Sequence, residues 1–376
     1  MNLQTLMSPN AAEQPHLNSN RDLYFATREI KRGPSAHSLL QARRPLDPAA
    51  LGVDAFMAQH RVGGLLVLKD GEICLERYGL GLDEATRWYS YSLGKSVCST
   101  LVGAAIQQGR IGSVEDPVTR YLPQMAGTAY DGTTLRDLLE MSSGVAWDEA
   151  YRDGASDFGR YFNAVLEKRP GGAMAVMQSL RRAVPPGTKF VYSSGETYLI
   201  GAIVTAATGQ SLSEYLSERI WARFGMEADG YWTLDSEGGL EMASGGCNFT
   251  LRDYGRFGLF VLGGGVIGGE RILPEGWIAE ASHPRADSPQ VGYGRLVAGM
   301  PLGYGYQWWA FPSDDPRLAE HAGAFTGQGI FGQFLYINPR ERVVAVVWGA
   351  WPDPWIAESE WATYGFIARC VEALRR

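Results

Sequence analysis

Ser92 and Lys95 stand three residues apart in the stretch Tyr89-Ser90-Tyr91-Ser92-Leu93-Gly94-Lys95-Ser96. A serine hydroxyl is a weak nucleophile until a neighbouring base takes its proton, and an uncharged lysine amine is such a base. A spacing of three puts both side chains on one face of a helix. If that helix starts near Ser92, its first N–H groups have no intrahelical partner and can face a developing oxyanion. The pattern S-x-x-K is short, and a capping serine with a snorkelling lysine would also produce it. The chain narrows the choice. It has only five lysines, Lys31, Lys69, Lys95, Lys168 and Lys189, and Lys95 alone follows a serine at this spacing.

The element that must hold the pair is the run Val97-Cys98-Ser99-Thr100-Leu101-Val102-Gly103-Ala104-Ala105-Ile106. It is small or apolar on nearly every face, which predicts a helix inside the protein. Gly109 is a natural stop. Burial and the positive end of the helix both disfavour an ammonium, so Lys95 is expected to serve as a base. Upstream, two apolar runs over residues 64–69 and 72–78 flank Asp70-Gly71, which predicts a hairpin with a tight primed turn. Thr133 or Thr134 can cap a short helix over 135–141. Residues 147–161 mix aromatics with Asp148, Glu149, Asp153 and Asp157 without a period. A long loop of that kind is either functional or a solvated surface.

Pro185-Pro186-Gly187 forces a turn ahead of Tyr192-Ser193-Ser194. Helices are predicted over 197–208, 212–224, 250–262 and 274–281, the second opened by a capping box of Ser211 and Glu214. Gly263-Gly264-Gly265-Val266-Ile267-Gly268 has the form G-x-G-x-x-G but follows a helix, so it reads as a glycine-rich turn. Strands are predicted over 304–309, 330–337 and 342–348, and a last helix over 358–375. Strands at both ends with helices between them predict an α+β protein, its antiparallel sheet built from both termini and flanked by helices, with an inserted helical subdomain. The boundaries are an extended N-terminal arm over 1–50, a sheet subdomain over 51–91 and 255–376, and a mainly helical subdomain over 92–254.

The bulk composition is that of an ordinary globular protein long enough for a large core. The chain has 376 residues, is 45% hydrophobic and 20% charged, and carries a net charge of -7. Nothing in that balance points to a nucleic-acid or polybasic membrane partner. The four cysteines (Cys74, Cys98, Cys247, Cys370) are widely spaced, and the five histidines form no close pair, so no disulfide, zinc or other metal framework is expected. Residues 1–20 lack the apolar core of a signal peptide, and no transmembrane run occurs, which predicts a cytoplasmic enzyme.

With Ser92-Leu93-Gly94-Lys95, Tyr192-Ser193-Ser194 and Gly327-Gln328-Gly329-Ile330 in that order, the chain resembles the penicillin-recognising serine hydrolases. That family comprises class C β-lactamases, DD-peptidases and family VIII-type esterases. The runs Tyr304-Gly305-Tyr306-Gln307-Trp308-Trp309 and Leu335-Tyr336-Ile337-Asn338-Pro339 are similar to its late strands. Gly94-Lys95-Ser96-Val97-Cys98, Tyr130-Asp131-Gly132, Tyr151-Arg152-Asp153 and Trp351-Pro352-Asp353-Pro354 resemble its amidase branch. That branch acts on linear amides of the 6-aminohexanoate type and on short-chain esters.

The resemblance implies the β-lactamase/DD-peptidase fold and a cofactor-free serine hydrolase. It assigns Ser92 as nucleophile, Lys95 as base, Tyr192 as proton relay and the N–H of Ile330 as an oxyanion donor beside that of Ser92. Tyr151 matches a tyrosine that assists amide cleavage. Glu149, Asp157 and Ser244 are the candidate substrate-binding residues. The partner implied is a small ester or amide, with a homodimer as the candidate assembly. The third motif has neither Lys nor His, and the second ends in Ser194 instead of Asn, both of which weaken a β-lactamase assignment. His321-Ala322-Gly323 imitates a His-x-Gly motif but comes too early, so His321 is expected to be non-catalytic. Two rivals follow: a β-lactamase or DD-peptidase, and a non-catalytic binding module on the same fold.

Overall fold

Seven antiparallel strands form the main sheet of the computed structural model, which describes residues 2–289 and 300–375. Their order is Glu72–Tyr78, Val62–Lys69, Val343–Gly349, Gln333–Asn338, Phe325–Gly329, Trp309–Ala310 and Gly303–Tyr304. Early and late parts of the chain pair directly, with Leu66 opposite Val346 and Leu68 opposite Val344. The first hairpin turns as its sequence requires. Asp70 and Gly71 both take left-handed φ values, 53° and 85°.

Alternation along the central strands sends Leu66, Leu68, Val344 and Val346 into one core and Leu65, Val67, Ala345 and Val347 into another. Both faces of the sheet are covered, which is why these strands read as continuous apolar runs. On the first face the helix Leu251–Leu262 lies close. A Cβ on Gly255 would stand 2.6 Å from Leu66, and one on Gly258 2.5 Å from Val344. On the second face the helix Ala357–Leu374 packs, with Phe366 stacked on Phe56 at 4.4 Å.

The helix Gly94–Gln107 is buried from Gly94 through Ala105, as its composition predicts. Gly103 lets Trp277 come so near that a Cβ would meet the indole at 2.6 Å. Polar residues on this helix are satisfied internally. Ser96 and Ser99 donate to the carbonyls of Gln307 and Tyr306 at 2.7 and 2.6 Å. The capping boxes at Thr134 and Ser211 are present.

Five expectations need correction. Residues 1–50 are not an extended arm. They form helices Leu3–Met7 and Gln14–Ser19, a 3-10 turn Arg21–Leu23 and the strand Thr27–Ile30, with Leu3, Leu6, Met7, Leu17 and Arg21 buried. Their apolar anchors are too sparse to register as a period. Second, residues 92–254 hold strands Gly230–Thr233 and Cys247–Phe249, which join Thr27–Ile30 and Trp88–Tyr89 in a four-stranded sheet. Third, the loop over 147–161 ends in a helix, Asp157–Leu166, capped by Ser156. Fourth, residues 304–309 are a bend between two short strands, with Gln307 at φ 64°, and Ile330 opens a turn through Phe331 and Gly332 before the next strand starts at Gln333. Fifth, the helix over 212–224 is interrupted by a π-helical turn, Ser217–Trp221.

Candidate active site

Ser92 sits in the 3-10 turn Tyr91–Leu93 that feeds the Gly94–Gln107 helix. Tyr91 just before it has φ 45°, a region costly for any residue with a Cβ. Surrounding contacts hold it there. The Tyr91 phenol donates to Asn18 Oδ1 at 2.7 Å and accepts from Arg21 Nη2 at 2.9 Å. The Ser90 hydroxyl donates to the Tyr91 carbonyl at 3.0 Å and accepts from the N–H of Cys247 at 3.2 Å. A Cβ on Gly245 would stand 2.7 Å from the Tyr91 carbonyl, so only glycine permits that approach. Ser92 is thereby half-exposed while Tyr91 and Leu93 are buried.

Lys95 Nζ lies 2.9 Å from Ser92 Oγ, 3.0 Å from Ser194 Oγ and 3.2 Å from the carbonyl of Ser244. A neutral amine fits these three neighbours. Were the amine neutral, two N–H groups could serve Ser194 and Ser244 and leave a lone pair for Ser92. Burial pushes the Lys95 pKa down to about 8, while Glu149 opposes that by favouring the charged form. The ring of Tyr192 lies 4.8 Å from Nζ. Burial, then Glu149, raises the Tyr192 pKa strongly, so its hydroxyl stays protonated beside Ser92.

Glu149 stands behind this group. It accepts from the N–H of Ser194 at 3.0 Å, from the Ser194 hydroxyl and from the Trp147 indole. Burial raises its pKa, against Lys95 and these donors, which hold it down. Lys95, Ser194 and Glu149 thus form a chain, with the Tyr151 hydroxyl also acting on Glu149.

A pocket lies over Ser92. Tyr151, Ser194, Ser244, Gly245 and Ile330 border it, so the structure brings most of the anticipated residues together. Asp157 is the exception. It accepts from the N–H of Asp148 at 3.0 Å and pairs with Arg160 at 3.0 Å, and it serves the loop and its helix instead of the pocket. Glu149 too is a second layer behind Ser194 and not part of the pocket lining. His321 lies in an aromatic group with Phe311, Tyr336 and Tyr364, and burial lowers its pKa to about 4.

Sequence reasoning missed Met7, Arg21, Phe158, Tyr161, Phe162 and Met242, which with Tyr89 and Tyr91 complete the lining. The aromatic density of 147–161 was a signal for Phe158 and Tyr161. Nothing in the composition of residues 1–25 marked Met7 or Arg21.

A family model described as Beta-lactamase matches residues 52–364. The chain belongs to the beta-lactamase family and is a hydrolase of that family, with the β-lactamase/DD-peptidase fold that its motifs anticipated. It is similar to several named relatives. The 6-aminohexanoate-dimer hydrolase of Paenarthrobacter ureafaciens is 32% identical over 294 residues, spanning 77% of this chain and 72% of the relative. Esterase EstB of Burkholderia gladioli is 23% identical over 359 residues, 81% of this chain and 90% of its own. A solved Bacillus anthracis structure that carries the 6-aminohexanoate-dimer hydrolase assignment superimposes with a TM-score of 0.80 at 25% identity, covering 99% of this chain and 98% of that one.

Proposed function

We propose that this chain is a serine hydrolase that cleaves small esters and amides through an acyl-enzyme on Ser92. The observation that carries the reading is the 2.9 Å contact between Ser92 Oγ and Nζ of the buried Lys95 at the base of a largely apolar pocket. Ser92 attacks the carbonyl carbon while its proton passes to Lys95. The N–H groups of Ser92 and Ile330 hold the oxyanion. When the C–O or C–N bond breaks, Tyr192 gives its proton to the leaving group and recovers one from Lys95. Water then repeats the sequence and releases the acid. We assign Tyr151 to the leaving nitrogen of an amide.

The third-motif position argues for esters and linear amides over lactams. Gln328 turns its side chain to Glu360 at 3.2 Å and to Tyr364, away from Ser92, so that strand offers no cation to a lactam carboxylate. Among the described residues no helix is long and apolar enough to cross a membrane. The four cysteines are unpaired and buried, which agrees with a reducing compartment, and a cytoplasmic setting completes the reading.

The test is turnover of p-nitrophenyl acetate and butyrate by wild type and Ser92→Ala. The substitution should lower kcat by more than about a thousandfold with circular dichroism unchanged. Equal turnover by both proteins would sink the assignment.

A further inference from the structure

We propose that Arg21 makes this pocket selective for esters and amides that carry a carboxylate, an inference that rests on the hydrolase reading above. Arg21 opens the 3-10 turn Arg21–Leu23, is 2% exposed and borders the same pocket as Ser92. A guanidinium keeps its charge at any working pH, and a buried charge calls for a counter-charge or a full set of hydrogen bonds. Arg21 has neither. Nη2 reaches the Tyr91 hydroxyl at 2.9 Å and Asn18 Oδ1 at 3.4 Å, while the buried Nε has no partner. Nη1 donates to no protein group among the described residues, and no Asp or Glu there pairs with this arginine. Its sequence neighbour Asp22 instead accepts from the Tyr231 hydroxyl at 3.3 Å.

The surroundings sharpen the point. The guanidinium carbon lies 4.3 Å from the Tyr89 ring centroid and 5.5 Å from that of Tyr91. These rings fix its plane without neutralising it. Among the described residues Arg21 is the only charged one in the pocket lining, whose other members are aromatic, aliphatic or small and polar. Such walls strengthen the attraction of a fixed cation for an entering anion. Among the described residues no lining carboxylate is available for a substrate ammonium. The pocket is thus built for a substrate with a negative end, in its acyl or its leaving group.

The alternative is that Arg21 only pins the N-terminal segment to Tyr89 and Tyr91. One experiment separates the two. Mono-p-nitrophenyl adipate and suberate are compared with p-nitrophenyl hexanoate and octanoate, which places the carboxylate on the acyl side. The ester 4-carboxyphenyl butyrate is compared with phenyl butyrate, which places it on the leaving group. Wild type should favour the anionic member of one series by roughly tenfold or more in kcat/KM, mainly through KM. Arg21→Met should bring that ratio to one or below, and Arg21→Lys should keep part of it. The series that responds identifies the side. A purely structural role would lower both members alike and leave the ratio unmoved, which would overturn the inference.

A wild type that hydrolyses neutral esters but favours neither anionic series also overturns it, and leaves the hydrolase reading standing. A binding arm needs no turnover. Ser92→Ala should bind adipate in calorimetric titration, and Ser92→Ala/Arg21→Met should not. If wild type hydrolyses nothing, the hydrolase reading fails and this titration alone decides the anion site. Adipate binding of equal strength in both proteins, or in neither, refutes the site.

Discussion

The floor and the wall of the pocket are built differently. The floor is Ser92 and Ser194, with Lys95 and Tyr192 directly behind them, set on two buried helices and their N-terminal turns. Its side chains are fixed by short polar contacts, with Lys95 holding three partners within 3.2 Å. The wall comes from the first 25 residues and from the segment around Tyr151 to Phe162, and it is mostly aromatic, with one arginine. Chemistry needs groups held to within tenths of an ångström, which buried secondary structure supplies. Substrate choice needs shape and charge, which peripheral segments can supply without disturbing the base. The floor should therefore govern kcat and its pH dependence, and the wall KM.

The largest effect expected at the floor, after removal of the nucleophile, is that of Lys95→Met. It keeps the bulk of the side chain but removes the proposed base, and should lower kcat by about a thousandfold. Steady-state turnover of p-nitrophenyl butyrate checks this, and a loss confined to KM would break the division. Tyr192→Phe comes next, with about a hundredfold loss in kcat, greater for amides than for activated esters, because an amine leaves only after protonation. Equal losses for an anilide and a p-nitrophenyl ester would contradict the relay.

The pH profile sharpens the comparison without removing any floor residue. In the proposed mechanism Lys95 must be neutral to act, so kcat/KM should rise with pH and level off above the Lys95 pKa of about 8. Glu149 favours the charged lysine, so Glu149→Gln should lower that pKa and move the rising limb to lower pH. An unshifted limb would separate Glu149 from the base. The smallest effect belongs to the wall. Phe162→Ala should raise KM for hexanoate esters by a few-fold, through lost apolar contact, with much less change in kcat.

The same division explains what the sequence disclosed. Ser92 and Lys95 could be placed together because their motif opens a regular helix, where spacing translates into geometry, whereas Tyr192, in the coil ahead of the Ser194 helix, was reached only through the family resemblance. The hairpin at Asp70-Gly71, a threonine cap at 133 or 134 and the capping box at Ser211 were legible for the same local reason. Ser194 was noted only as a departure from the family motif, yet it bridges Lys95 and Glu149. Glu149 was anticipated as a substrate contact and proved to lie one layer deeper, because a lone carboxylate in a loop carries no spacing to fix its direction. Asp157 looked equally suitable and serves its own helix start. Met7 and Arg21 were hidden because long-range packing, and no local pattern, brings residues 1–25 against Tyr89 and Tyr91.

The most direct test of the central claim is the rate and position of fluorophosphonate labelling, followed by intact mass and peptide mapping across pH 6 to 10. The account predicts a single adduct on Ser92, forming faster as pH rises and levelling off above about 8, the pKa to which Lys95 is lowered. Ser92→Ala should take up no label. An adduct mapped to another residue, or a labelling rate indifferent to pH, would contradict a serine activated by a neutral lysine.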